Sequence, residues 1–150
     1  MLPALSTKVW ASAGVTLPLA TSLEADLEQA LQVARPLLVV VSLETCSYCE
    51  LVRTNYLAPM RKRDGLHVVQ VDMRSPLQVV DFGGQLMSHQ AWIKKRKVTT
   101  APTVLFLGAG GNEVATRLVG ASPDFYGAYL EDRLRTAAAT ITRSHQKLAV

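Results

Sequence analysis

Cysteine is scarce in this chain of 150 residues: there are two, Cys46 and Cys49, and no third thiol. Two cysteines cannot supply the several bridges on which small secreted scaffolds depend. A chain of this length does not need them, because folding buries roughly 68–70% of the unfolded surface, enough for a hydrophobic core. Aromatic residues are also few, at 6%. None is interleaved with either basic run, Arg61-Lys62-Arg63 or Lys94-Lys95-Arg96-Lys97, so the stacking platform of a single-strand nucleic-acid binder is missing and no nucleic-acid partner is expected. Each run reads instead as the solvated end of a helix, where cations meet the negative pole of the helix dipole. The net charge of +4 demands no acidic partner. No apolar run approaches the ~20 residues of a membrane span; Leu37 to Val41 and Ala101 to Ala109 have the length of core strands. The three histidines, His67, His89 and His145, lack ligand spacing and read as surface residues, so no metal centre is expected. Hydrophobic residues, by contrast, make up 49% of the chain, too many for a disordered polypeptide.

Period and punctuation give a βαβ start followed by a ββα end, an α/β domain with no internal repeat. Thr21-Ser22-Leu23-Glu24 has the pattern of a capping box, and Leu23, Leu27, Ala30, Leu31 and Ala34 recur at helical spacing until Pro36 stops the helix. Leu37 to Leu43 is unbroken and β-branched, the mark of a strand buried on both faces. After Glu44-Thr45-Cys46-Ser47-Tyr48-Cys49, a stripe of Cys49, Val52, Tyr56 and Met60 predicts a helix that breaks near Ala58, because Pro59 disfavours helical geometry in the residue before it. Gly65 closes the turn, and Leu66 to Val71 reads as a second buried strand ended by Asp72. Met73 to Leu86, with Ser75-Pro76 and Gly83-Gly84, shows no sustained period and reads as a long connection. Ser88 caps a short helix to about Lys97. Thr103–Leu107 and Glu113–Val119 form a hairpin around the turn Gly108 to Asn112. Ser122-Pro123 opens a closing helix with an apolar face of Phe125, Tyr126, Tyr129, Leu130 and Leu134. One domain is expected over 1–150: a core at about 22–138, an extension at 1–20 and a frayed tail at 143–150.

Cys46-Ser47-Tyr48-Cys49 holds all the cysteine of the chain, at a junction between a buried strand and a helix. Two thiols three positions apart can close a small disulfide ring. The first faces unpaired backbone N–H groups and the positive end of the helix dipole, which favour thiolate; a free-cysteine pKa near 8.5 falls to roughly 3.5–7.5 in such settings. This gives a division of labour in which Cys46 attacks a substrate disulfide and Cys49 resolves the mixed disulfide. The alternatives are two structural core cysteines or half of a metal site. Pro102, in Thr99-Thr100-Ala101-Pro102-Thr103-Val104, stands just before a strand, where proline is tolerated at a strand start or on an edge.

These residues resemble the thioredoxin-fold thiol-disulfide oxidoreductases. A CxxC after the first buried strand, a proline opening the hairpin, a Gly-rich hairpin turn and Gly120 before the last helix follow the family order over about residues 22–138. Val79-Val80-Asp81-Phe82-Gly83-Gly84 is similar to a segment of the bacterial, mostly periplasmic, thioredoxin-like proteins of the SoxW type. The resemblance implies a thioredoxin fold with a central mixed sheet flanked by helices. It also implies a cis Pro102 packed against both cysteines, an Ala101 backbone that pairs with an extended substrate segment, and substrate contacts from Ser47 and Tyr48. Three positions depart from the thioredoxin pattern: Thr45 stands in place of Trp, Val40 in place of a buried Asp that moves protons for the second cysteine, and Ala101 in place of a branched residue. Glu44, the nearest carboxylate, is the candidate proton relay.

The resulting expectation is a monomeric enzyme without bound cofactor that reduces disulfides of protein partners and is recharged by an upstream thiol donor. The alternative class is a thioredoxin-fold binding module or carrier of a Cu(I)-type ion held by the CxxC thiols. A third option is a glutathione-dependent activity in which Arg61 or Lys62 would meet the anion. Residues 1–20 carry one charge, Lys8, and contain Ala11-Ser12-Ala13, which fits a signal cleavage pattern without the apolar core that should precede it. The reading is an exported, periplasmic protein whose leader is absent from the chain, with a cytoplasmic protein as the alternative.

Overall fold

The computed structural model describes residues 16–122 and 124–149. The expectations for the first fifteen residues and for Pro123 lie outside them.

Helix α1 (Leu23–Gln32) starts at Ser22, whose hydroxyl accepts from the Ala25 N–H at 3.2 Å. The cap is thus Ser22, not Thr21 as the box pattern implied. The helix buries Leu23, Leu27 and Ala30 on one stripe. It ends two residues before Ala34, which takes a left-handed φ of 54° and is exposed. Strand β1 (Leu37–Ser42) is buried at all six positions, as its unbroken apolar sequence requires.

The helix after the cysteines does not break at Pro59. It runs as α2 (Ser47–Val52), a π-helical turn (Arg53–Leu57) and α3 (Ala58–Asp64). In an α-helix the Pro59 ring would strike the carbonyl four residues back and leave it without a donor. The wider turn, in which the Ala58 N–H bonds to the Arg53 carbonyl, shifts the ladder and accommodates the proline. Gly65, at φ 66°, stops the run with its N–H on the Arg61 carbonyl at 3.1 Å.

Strand β2 (His67–Asp72) follows. The stretch expected to be a long connection instead contains a small hairpin, β3 (Gln78–Val80) and β4 (Leu86–Ser88). Its turn is held by Asp81, which accepts from the N–H groups of Gly83 and Gln85 at 2.9 Å and from Lys95 Nζ at 2.8 Å. Ser88 caps α4 (His89–Lys95) through the Ala91 N–H. Strands β5 (Thr103–Leu107) and β6 (Glu113–Val119) have the expected bounds.

Helix α5 (Tyr126–Leu148) buries Tyr126, Leu130, Ala137 and Ile141. Phe125 and Tyr129, expected on that face, are 61% and 49% exposed, because the buried stripe rotates past them. The expected frayed tail is helical through Leu148, although the side chains of residues 142–149 are exposed.

The main sheet has the order β2-β1-β5-β6, with β1 parallel to β2 and antiparallel to β5, and β6 antiparallel to β5. Alternation along β1 divides two cores. Leu37, Val39 and Val41 pack with Leu23, Leu27 and Trp92 on one face; Leu38 and Val40 pack with Val52, Phe106 and Leu130 on the other. The register brings Ser42, Asp72, Thr103 and Val119 to one end of the sheet, and the site forms there.

Candidate active site

The loop from Leu43 to Thr45 turns the chain from β1 into the helix. Thr45 takes a left-handed φ of 60°, unusual for a β-branched residue, and its hydroxyl donates to the Glu44 carbonyl at 2.6 Å. Cys46 is the N-cap of α2: its Sγ accepts from the Cys49 N–H at 3.2 Å and its carbonyl from the Glu50 N–H at 3.1 Å. The two cysteines form a disulfide, with Cα atoms 5.2 Å apart. They differ in access, since Cys46 is half-buried whereas Cys49 is 1% exposed. Ser47 and Tyr48, between them, are both exposed.

On the β5 side, the Ala101–Pro102 peptide is cis and Pro102 is buried. The Ala101 carbonyl oxygen lies 3.9 Å from Cys46 Sγ. The Pro102 carbonyl accepts from the Gly120 N–H at 2.7 Å, which ties the proline loop to the end of β6; Gly120 takes φ 75° there. Glu44 is exposed and lines a cleft shared with Cys46.

That cleft, about 840 Å³, opens on the β2 side of Cys46, at the C-terminal ends of the parallel strands β1 and β2. Glu50, Arg53, Gln70, Asp72 and Arg74 also line it. Sequence reading missed these residues. Two signals were present: Glu50 and Arg53 lie four and seven residues after Cys46, on one helical face, and Asp72 ends a parallel strand, where ligands of α/β sheets gather.

Arg61 lines a different cavity, with Leu37 and His67 at the opposite ends of the same strands, so it cannot serve an anion at the cysteines. His89 is not a surface residue: it is fully buried, its Nδ1 accepting from the Asp72 N–H at 3.3 Å while its Nε2 meets the Ala20 carbonyl at 2.8 Å. Among the described residues, no three His, Cys, Asp or Glu side chains gather as a metal-ligand set, and no helix is long and apolar enough to cross a membrane.

A family model described as a thioredoxin-like domain matches residues 23–133. Among solved structures, the oxidoreductase DsbH shares 19% identity at a TM-score of 0.56, over 89% of this chain and 92% of its own. Poplar thioredoxin h shares 16% identity at 0.52, over 75% and 94%. The periplasmic thioredoxin SoxS of Paracoccus pantotrophus shares 23% identity at 0.46, over 68% and 98%. No curated protein matches the sequence. With the family match covering most of the chain, all six strands and the CxxC junction included, the chain belongs to the thioredoxin-like domain family.

Proposed function

We propose that this chain reduces disulfides of protein partners in the periplasm, working as a monomer recharged by an upstream thiol donor. It is a thiol-disulfide oxidoreductase whose redox pair is Cys46 and Cys49. The observation that carries the reading is the disulfide at the strand-to-helix junction with unequal access to its two sulfurs. In the reduced pair, the Cys46 thiolate attacks a substrate sulfur, expelling one substrate thiolate and forming a mixed disulfide. Cys49 then attacks Cys46 Sγ, expels the second substrate thiolate and regenerates the internal disulfide, so two electrons pass to the substrate.

Cys46 is the attacking residue because it is the more accessible sulfur and stands where the Cys49 N–H already points at it. Ala101, with its backbone beside Cys46, pairs with an extended substrate segment, while exposed Ser47 and Tyr48 and the buried Pro102 shape the contact. Glu44 is the proposed proton relay; no carboxylate stands at Val40, which is buried. The periplasmic assignment rests on the motif order of the SoxW-type resemblance. An external thiol donor follows from it, because that compartment is kept oxidising.

Titration of the pair against glutathione and dithiothreitol buffers tests the direction. A potential below that of the glutathione pool supports a reductase, and one near the oxidising end overturns it. Full insulin-disulfide reduction by Cys46→Ser would overturn the assignment of Cys46.

A further inference from the structure

The cleft on the β2 side of Cys46 is rich in charge, of which the chain itself partly satisfies Asp72, whose Oδ1 accepts from the Arg74 N–H at 2.9 Å. One wall carries Glu50 and Arg53 on the helix that begins at Cys46; the other carries Gln70, Asp72 and Arg74. None of these four charged side chains forms an ion pair among the described residues. Two polar atoms are buried without a protein partner: Arg53 Nε, a donor, and Gln70 Oε1, an acceptor. Orphaned buried groups are few in native structures, and each calls for an explanation. Both belong to residues that line the cleft, as does Cys46.

The chemistry of the walls defines the occupant. Arg53 and Arg74 call for a carboxylate, which a guanidinium fork binds with two donors. Gln70 Oε1, Glu50 and Asp72 call for an ammonium or another N–H donor. A purely anionic ligand would be repelled by the three carboxylates that line the cleft, Glu44, Glu50 and Asp72, and a purely cationic one by the two guanidinium groups. The volume, about 840 Å³, falls within the roughly 300–1,000 Å³ of small-molecule sites. Ala101 and Pro102 do not line it, so it lies apart from the face proposed above for protein segments.

We infer that this cleft is a subsite for a small disulfide or thiol that bears both an amino and a carboxylate group, seated so that its sulfur reaches Cys46. The inference rests on the exchange reading above and adds a second substrate class to it. Cys46 thiolate attacks one sulfur of R–S–S–R, the S–S bond breaks, and the first RS⁻ leaves and takes a proton. Cys49 thiolate then displaces the second RS⁻ from Cys46 Sγ. Two RSH and the Cys46–Cys49 disulfide result, the two electrons having come from the dithiol. Run in reverse, two molecules of RSH reduce the internal disulfide, so the same subsite admits a thiol donor.

The test uses four disulfide probes on the reduced chain, with loss of free thiols followed in single-turnover mixing: cystine (both charges), dithiodipropionate (carboxylates only), cystamine (ammonium groups only) and hydroxyethyl disulfide (neutral). Arg53→Gln is expected to lower the rate constants for cystine and dithiodipropionate about tenfold relative to hydroxyethyl disulfide, as loss of a charge-assisted hydrogen bond would. Glu50→Gln, at an exposed position, is expected to lower those for cystine and cystamine about two- to threefold on the same scale. Arg61→Gln, in the other cavity, should leave the ratios unchanged. Equal changes across the four probes, or none, would overturn the subsite while leaving insulin reduction, and with it the exchange reading, intact. A chain that reacted with no probe and reduced no insulin would overturn both.

Discussion

Cys46 and Cys49 have the same side chain three residues apart, and their proposed roles separate through access and through the Cys49 N–H that points at Cys46 Sγ: one is the half-buried cap, the other is 1% exposed. With no third thiol in the chain, no other residue of it can resolve a mixed disulfide formed at Cys46. Cys49→Ser is therefore expected to accumulate a stable mixed disulfide between Cys46 and the substrate, seen as a mass adduct that a reductant removes. Cys46→Ser should form none. This pair was legible in the sequence as the leading reading, on its spacing and its strand-to-helix junction, with core cysteines and half of a metal site as the alternatives. The surroundings of the pair were not. Arg53 follows Cys46 in the same helical run, but Gln70 and Asp72 come from the neighbouring strand, and only the parallel pairing of β1 with β2 brings them beside Cys46. Thr45 shows the same limit, since nothing in its side chain announces a left-handed backbone.

Among the elements, the four long strands were readable to within about one residue because each is a continuous or alternating apolar run. The β3–β4 hairpin was not: its strands are three residues long, too short to show a period. Its order comes from one carboxylate. Asp81 is 4% exposed, and the Lys95 ammonium that bonds to it holds its carboxyl below the usual range, assisted by the N–H groups of Gln85 and Gly83. With the folded pKa lower than the unfolded one, this contribution to stability is complete above the ordinary carboxylate range and is lost as pH falls through the folded value. Asp81→Asn should cost about 1–2 kcal/mol at pH 7 in urea unfolding, and the gap from the parent chain should narrow as pH falls below the ordinary carboxylate range.

The adjacent turn is constrained by space. Gly111 has φ 75°, and a methyl group there would overlap the Phe82 ring, so Gly111→Ala should lower stability by about 2–3 kcal/mol and loosen the contact between the two hairpins.

Across the whole molecule, the site end of the sheet depends on a residue that takes no part in the proposed chemistry. The segment before α1 lies along the free edge of β2: the Ala20 N–H bonds to the Gln70 carbonyl at 2.9 Å and the Gln70 N–H to the Pro18 carbonyl at 2.8 Å. His89, reaching from α4, joins the Ala20 carbonyl on that segment to the Asp72 N–H at the end of β2. One ring therefore ties three elements that meet only in the folded chain, and it does so on the strand that supplies Gln70 and Asp72 to the cleft. The geometry selects a neutral ring with its proton on Nε2, since Nδ1 must accept from an amide N–H. Sequence reading placed His89 at the surface because a lone histidine on a short helix carries no sign of burial. His89→Leu fills much of the same space but leaves the Asp72 N–H and the Ala20 carbonyl without this partner. The expected cost is about 2–4 kcal/mol in denaturant unfolding, with faster hydrogen exchange at the Asp72 amide than at the central β1 amides. A loss spread evenly over all amides would mean that His89 only fills volume. A loss concentrated at Asp72 and Ala20 would show that the ring fastens the edge of the sheet beside the cleft.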